Sequence, residues 1–116
     1  MTVTLEVIAA AAGPVLMGGI SRGGALSVAW AGRNPDQTAG VLNFVGGWLG
    51  EGCGDSAEVN RQIFAEGGAF SKKTLWLYGQ DDPFYSLDFS RQNHAAFQAA
   101  GGAGAFREFR LKGDGN

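Results

Sequence analysis

The sequence holds one cysteine, one histidine and three prolines in 116 residues. Cys53 therefore has no partner for an intrachain disulfide and no Cys-rich metal site around it; an idle or buried thiol is its ordinary state. Charge of one sign is missing too. Nine Lys and Arg stand against eleven Asp and Glu, a net charge of -2, so no basic surface points to nucleic acid or an anionic membrane. Apolar runs are short, because Gly and Pro interrupt them well before the length of a membrane span. Met1-Thr2-Val3-Thr4-Leu5-Glu6 lacks the basic opening of a secretory signal, which points to the cytoplasm. No tight spacing of ligand types suggests a metal, and no cofactor is expected. What remains is a chain with 20 Gly and 45% hydrophobic residues. That is enough for one domain over residues 1–116 with a small core.

The informative stretch is Val15-Leu16-Met17-Gly18-Gly19-Ile20-Ser21-Arg22-Gly23-Gly24. A short apolar run meets Gly-Ile-Ser-Arg-Gly, and a small-residue helical pattern follows it. Strand, sharp turn and helix are the context that a G-x-S-x-G nucleophile elbow requires. The tight turn needs Gly19 and Gly23, where a β-carbon would clash. Ser21 is then held at the tip, and the helix behind it aims free N–H groups at an approaching oxygen.

Along the chain, Thr2 to Ala12 reads as a helix stopped by Gly13-Pro14. Val15 to Ile20 lacks polar alternation, as a strand covered on both faces does. Arg22 to Ala31 is the next helix, and Ala39 to Val45 a second apolar strand. The Gly46–Gly54 stretch is glycine-rich but lacks the Gly-Lys-Ser/Thr ending of a phosphate loop; it reads as a mobile loop at the carboxyl end of a strand, where ligands bind in open sheets. Ser56 caps a helix to Ala65. Thr74 to Tyr78 is a third strand, and Ser86 caps a long helix to Ala100. Ala105 to Leu111 is a more polar strand at an edge. Strand and helix alternate throughout, which predicts an α/β domain with a short, mostly parallel sheet of about four strands and crossover helices.

From Val15 onward this order resembles the C-terminal half of an α/β-hydrolase, above all the dienelactone-hydrolase-like esterases. The matching residues are Gly19-Ile20-Ser21-Arg22-Gly23-Gly24 and Leu77-Tyr78-Gly79-Gln80-Asp81-Asp82-Pro83-Phe84. By that resemblance Ser21 matches the nucleophile. Asp82 matches the acid of the triad, with Asp81 as the alternative, and the backbone N–H of Arg22 matches one half of the oxyanion hole. The implied activity is hydrolysis of small activated esters through an acyl-enzyme.

Two departures accompany the match. The family's histidine lies in a loop after the last strand, whereas Lys112-Gly113-Asp114-Gly115-Asn116 holds none. The one histidine is His94, inside the long helix, read either as a solvated residue or as a transposed base. The strands that precede the elbow in the family have no counterpart, so the chain reads as a truncated α/β-hydrolase, 1–14 being an N-terminal helix and 15–116 running from elbow strand to last strand. Trp48, Phe84 and Tyr85 are expected to contact substrate, or else to be core and rim residues. Cys53 is a second, less favoured nucleophile. The alternative to an esterase is a non-catalytic fragment acting in association or small-ligand binding. An uncovered sheet face and edge would favour a homo-oligomer.

Overall fold

The computed structural model describes residues 13–110; the helix expected over 2–12 and the tail from Leu111 lie outside them. Four strands and three α-helices alternate. They are β1 (Val15–Ile20), α1 (Arg22–Arg33), β2 (Thr38–Phe44), α2 (Ser56–Glu66), β3 (Lys73–Gly79), α3 (Leu87–Ala99) and β4 (Ala103–Phe109). The sheet order is β1-β2-β3-β4, and each neighbouring pair is parallel. Parallel neighbours need a crossover, and each helix supplies one. The α/β class and the four-stranded sheet expected from the sequence are what the chain forms.

All three helices pack on one face of the sheet. That face is built on the period-2 positions of the strands: Met17, Val41, Asn43, Thr74, Trp76 and Tyr78 point into it and are buried. Trp76 is its centre, 4.9 Å from Phe64 of α2 and 5.1 Å from Phe97 of α3, ring centre to ring centre. Small residues let the helices approach. Gly67 abuts Val28 of α1, and Gly32 abuts the backbone of Glu66 and Gly67. The opposite face carries no helix among the described residues. Leu16 and Ile20 are 63% and 69% exposed there, and Phe44 and Phe109 are exposed as well. The strands thus read as covered on both faces, and the described chain covers one.

Caps differ in detail from expectation. Ser86 caps α3 by accepting from the Phe89 N–H at 3.2 Å. Ser56 is instead the first residue of α2, buried, with its hydroxyl donating to the Glu51 carbonyl at 3.3 Å.

Candidate functional site

In a parallel sheet all strands end on the same side, so the loops after β1, β2 and β3 share one rim. Ser21 stands at the end of β1 with φ 57° and ψ -120°, a conformation that L-residues seldom adopt and that costs about 1–3 kcal/mol. The surroundings hold it there. The Ser21 N–H donates to Phe44 at 3.0 Å, and its carbonyl accepts from Gly24 at 3.0 Å and from Ala25 and Gly47 at 3.2 Å. Gly24 and Ala25 make these first bonds of α1, which leaves the N–H groups of Arg22 and Gly23 outside the helical ladder. The Ser21 hydroxyl does not cap the helix.

The glycines divide differently from expectation. A β-carbon on Gly19 would run into the backbone of Gly23, whereas one on Gly23 would meet nothing within 4 Å. The clash belongs to Gly19 and to Gly24, whose added carbon would strike the Asn43 amide and approach Gly46. Gly23 serves by presenting bare backbone to Gly19.

Beneath the turn lies a buried polar cluster that the sequence did not announce as functional. The Asn43 amide donates to the Tyr78 hydroxyl at 3.1 Å, and Tyr78 donates to the Gly46 carbonyl at 2.7 Å. Burial drives the Tyr78 pKa far above its ordinary value, and its two hydrogen bonds offset only part of that, so it acts as a neutral phenol. Val45, between Asn43 and Gly46, sits at φ 46°, a true outlier for a β-branched side chain. It is held by its N–H bond to Leu77 at 2.8 Å. The one signal in the sequence was Asn43, a polar residue within an otherwise apolar strand.

The Gly46–Gly54 loop is strapped rather than loose. Gly46 and Gly47 are buried. Trp48 donates its backbone N–H to Asn60 at 2.9 Å, Glu51 donates to the Phe84 carbonyl at 3.1 Å, and the Glu51 carboxylate accepts from the Ser86 N–H. Tyr85 is buried with its ring against the Gly47 backbone, so it braces the loop and is not open to a substrate. Phe84 is 64% exposed on the rim. Trp48 is half-buried, and the Arg22 guanidinium lies 5.4 Å from its ring centre, within range of a cation–π contact. Cys53 is exposed in the same loop.

Asp82 lies in the loop after β3. One of its carboxylate oxygens accepts from the backbone N–H groups of Phe84 at 2.7 Å and Tyr85 at 2.8 Å, which fixes the side chain, while Asp81 is exposed. Ser21 and Asp82 end strands separated by β2, two strand spacings or about 10 Å apart. His94 does not fill that gap. It points from α3 into the sheet, 8% exposed, edge-on to Trp76 at 4.8 Å and 5.4 Å from Phe106. The solvated helix histidine is corrected to a core residue. Burial holds its pKa below the ordinary value, offset in part by a hydrogen bond to the Gly104 backbone, and its Nε2 has no partner. Among the described residues no cluster of three or more His, Cys, Asp and Glu is placed to hold a metal.

No protein-family model matches the chain, and no curated protein sequence does. Solved structures do. SOBER1 of Arabidopsis thaliana, in a variant form, matches with TM-score 0.66 and 22% identity over 94% of this chain and 50% of its own. A phospholipase/carboxylesterase from Dyadobacter fermentans matches with TM-score 0.61 and 17% identity over 96% of this chain and 51% of its own. A protein from Klebsiella pneumoniae described as a dienelactone hydrolase matches with TM-score 0.58 and 21% identity over 81% of this chain and 38% of its own. The chain thus spans half or less of the length of these structures, within about a percentage point. Over that span it has an α/β-hydrolase-like fold.

Proposed function

We propose that the chain carries the nucleophile elbow of a serine carboxylic ester hydrolase acting on small activated esters. The observation that carries this reading is the φ, ψ of Ser21 at a strand-to-helix turn, with Gly19 packed on Gly23. A strained serine at the tip of such a turn is what a nucleophile elbow needs. In the proposed reaction the Ser21 hydroxyl attacks the acyl carbon, and the Arg22 N–H donates to the developing oxyanion. The alcohol or phenol leaves, and water hydrolyses the acyl-serine. Asp82 orients whichever base serves Ser21.

That base is the open part of the machinery. A serine hydroxyl without one is a weak nucleophile, and loss of a triad member lowers turnover by several orders of magnitude. His94, boxed between Trp76 and Phe106, is set aside for this role. The same observation favours a second reading, in which the 116-residue chain is a non-catalytic portion of a hydrolase and works by association.

The test is acetylation by p-nitrophenyl acetate, read by mass spectrometry of peptides. The reading expects a slow acetyl adduct on Ser21, absent in Ser21→Ala, retained in Cys53→Ala and His94→Phe, and slowed in Asp82→Asn. An adduct on Cys53 alone, or none above the rate of the unfolded chain, sinks it in favour of the association reading.

A further inference from the structure

We propose that Tyr78 is a positioning residue for the oxyanion donor: through two linked peptide planes, its hydroxyl sets the direction of the Arg22 N–H. The inference rests on the reading of Ser21 as nucleophile and Arg22 as donor. Packing does not call for a hydroxyl here. Tyr78 is fully buried, with its ring stacked on Phe106 at 5.0 Å. Phenylalanine would fill the same space without burying a polar group. Asn43, facing it from β2, is fully buried too, and its Oδ1 has no hydrogen-bond partner. Apolar groups of the same shape in place of such a pair are ordinarily no less stable. A buried polar pair with one atom unsatisfied therefore asks for a reason other than stability.

The reason lies in where the Tyr78 hydroxyl points. It donates to the Gly46 carbonyl at 2.7 Å. That carbonyl and the Gly47 N–H belong to one peptide group, planar and trans, so they point in opposite directions. With the carbonyl held by Tyr78, the N–H is aimed at the Ser21 carbonyl, to which it donates at 3.2 Å. The Ser21 carbonyl and the Arg22 N–H share a second planar, trans peptide group. Of the three N–H groups on the Ser21 carbonyl, those of Gly24 and Ala25 belong to α1 itself, and that of Gly47 comes from outside it. The Tyr78 hydroxyl thus sets the tilt of the Ser21–Arg22 peptide plane, and with it the line along which the Arg22 N–H leaves the turn. Hydrogen bonds joined in such a chain also polarise one another, which strengthens the last donor.

The neighbours serve the same alignment. The Asn43 amide donates to the Tyr78 oxygen at 3.1 Å, which leaves the phenol hydrogen free for Gly46. Val45, at φ 46°, turns the chain between β2 and this peptide. A β-carbon on Gly46 would strike the Asn43 amide, and one on Gly47 would strike the Tyr85 ring. The Tyr85 N–H donates to Asp82 at 2.8 Å. The loop that carries Asp82 therefore bears on the same Gly46–Gly47 peptide that holds Ser21.

The experiment is acetylation of Ser21 by p-nitrophenyl acetate over a range of ester concentrations, paired with backbone amide spectra by NMR. Tyr78→Phe is expected to slow the limiting rate about tenfold, less than the loss of a whole oxyanion donor. The half-saturating ester concentration stays unchanged, because the donor acts on the transition state and not on bound ester. The Gly47 and Arg22 amide resonances shift together, and the Gly47 N–H exchanges faster. Phe97→Leu, which loosens the core away from the rim, lowers stability without these effects. Should Tyr78→Phe fold poorly, Asn43→Leu combined with it removes both polar groups at once and is expected to give the same slowing. Equal limiting rates in wild type and Tyr78→Phe, or a slowing matched by Phe97→Leu, overturn the proposal and leave Ser21 as the nucleophile. A wild type without an adduct on Ser21 overturns the esterase reading instead, and the link from Tyr78 to Arg22 is then decided by the amides. An Arg22 resonance that follows the loss of the hydroxyl upholds the link, and an unmoved one overturns it.

Discussion

The two faces of this sheet are made from the same strands, with similar residues, and have opposite fates. On the helix side Trp76, Tyr78 and Val41 are sealed by Phe64, Phe97 and Val28. On the other, Leu16 and Ile20 stand in the open, and Leu42 and Leu75 border a hollow. Burial stabilises only where something removes the side chain from water, by about 25 cal/mol per Å² of apolar surface. Stability of the isolated chain therefore resides on one side of a sheet whose composition suits burial on both. The second side carries apolar surface that the described residues leave open to water.

Substitution on the two faces should separate them sharply. Trp76→Ala empties the centre of the aromatic cluster and is expected to cost about 3–5 kcal/mol, a large share of the stability of a domain this small. Urea denaturation measures it, and a cost under about 1 kcal/mol would mean that the cluster is not the core. A smaller effect, confined to acid, belongs to His94 on the same side. Its folded pKa lies below the ordinary 6.5 because of burial, so below pH 6.5 the unfolded chain binds a proton that the folded chain refuses. Stability is then full above that pH and falls as pH drops through it. His94→Phe should flatten this part of the profile between pH 7.5 and 5.5; equal slopes in the two proteins would place His94 in water. The smallest effect is expected from Leu16→Ala on the bare face. It should leave the unfolding free energy unchanged within about 0.5 kcal/mol, and a loss above about 1 kcal/mol would mean that this face is covered.

The rim shows how much of a site is legible in a linear sequence. Gly-Ile-Ser-Arg-Gly after an apolar run marked the turn at Ser21, and Gly-x-x-Asp after another marked Asp82, because strained turns and strand ends restrict residue type locally. The same reasoning misassigned Gly23, since a glycine that presents backbone and one that avoids a clash look alike in sequence. His94 was misread for a related reason. Ser90, Asn93, His94 and Phe97 repeat at the spacing of one helix face, and all four are buried. Three of them are polar, and pattern reading assigns polar residues to water. Val45 carried no signal, because its positive φ is held by a hydrogen bond to Leu77 on the neighbouring strand.

The alternation of strands and helices, the parallel sheet, the sharp turn at Ser21 and the cap at Ser86 followed from the sequence alone. Each depends on residues within one or two turns of chain. Tertiary structure alone decided which sheet face is covered, that His94 lies in the core two strands from Ser21, and that Tyr85 braces the Gly46–Gly54 loop instead of lining a pocket. Those outcomes depend on contacts between residues tens of positions apart, and no local pattern of apolar and polar residues records them.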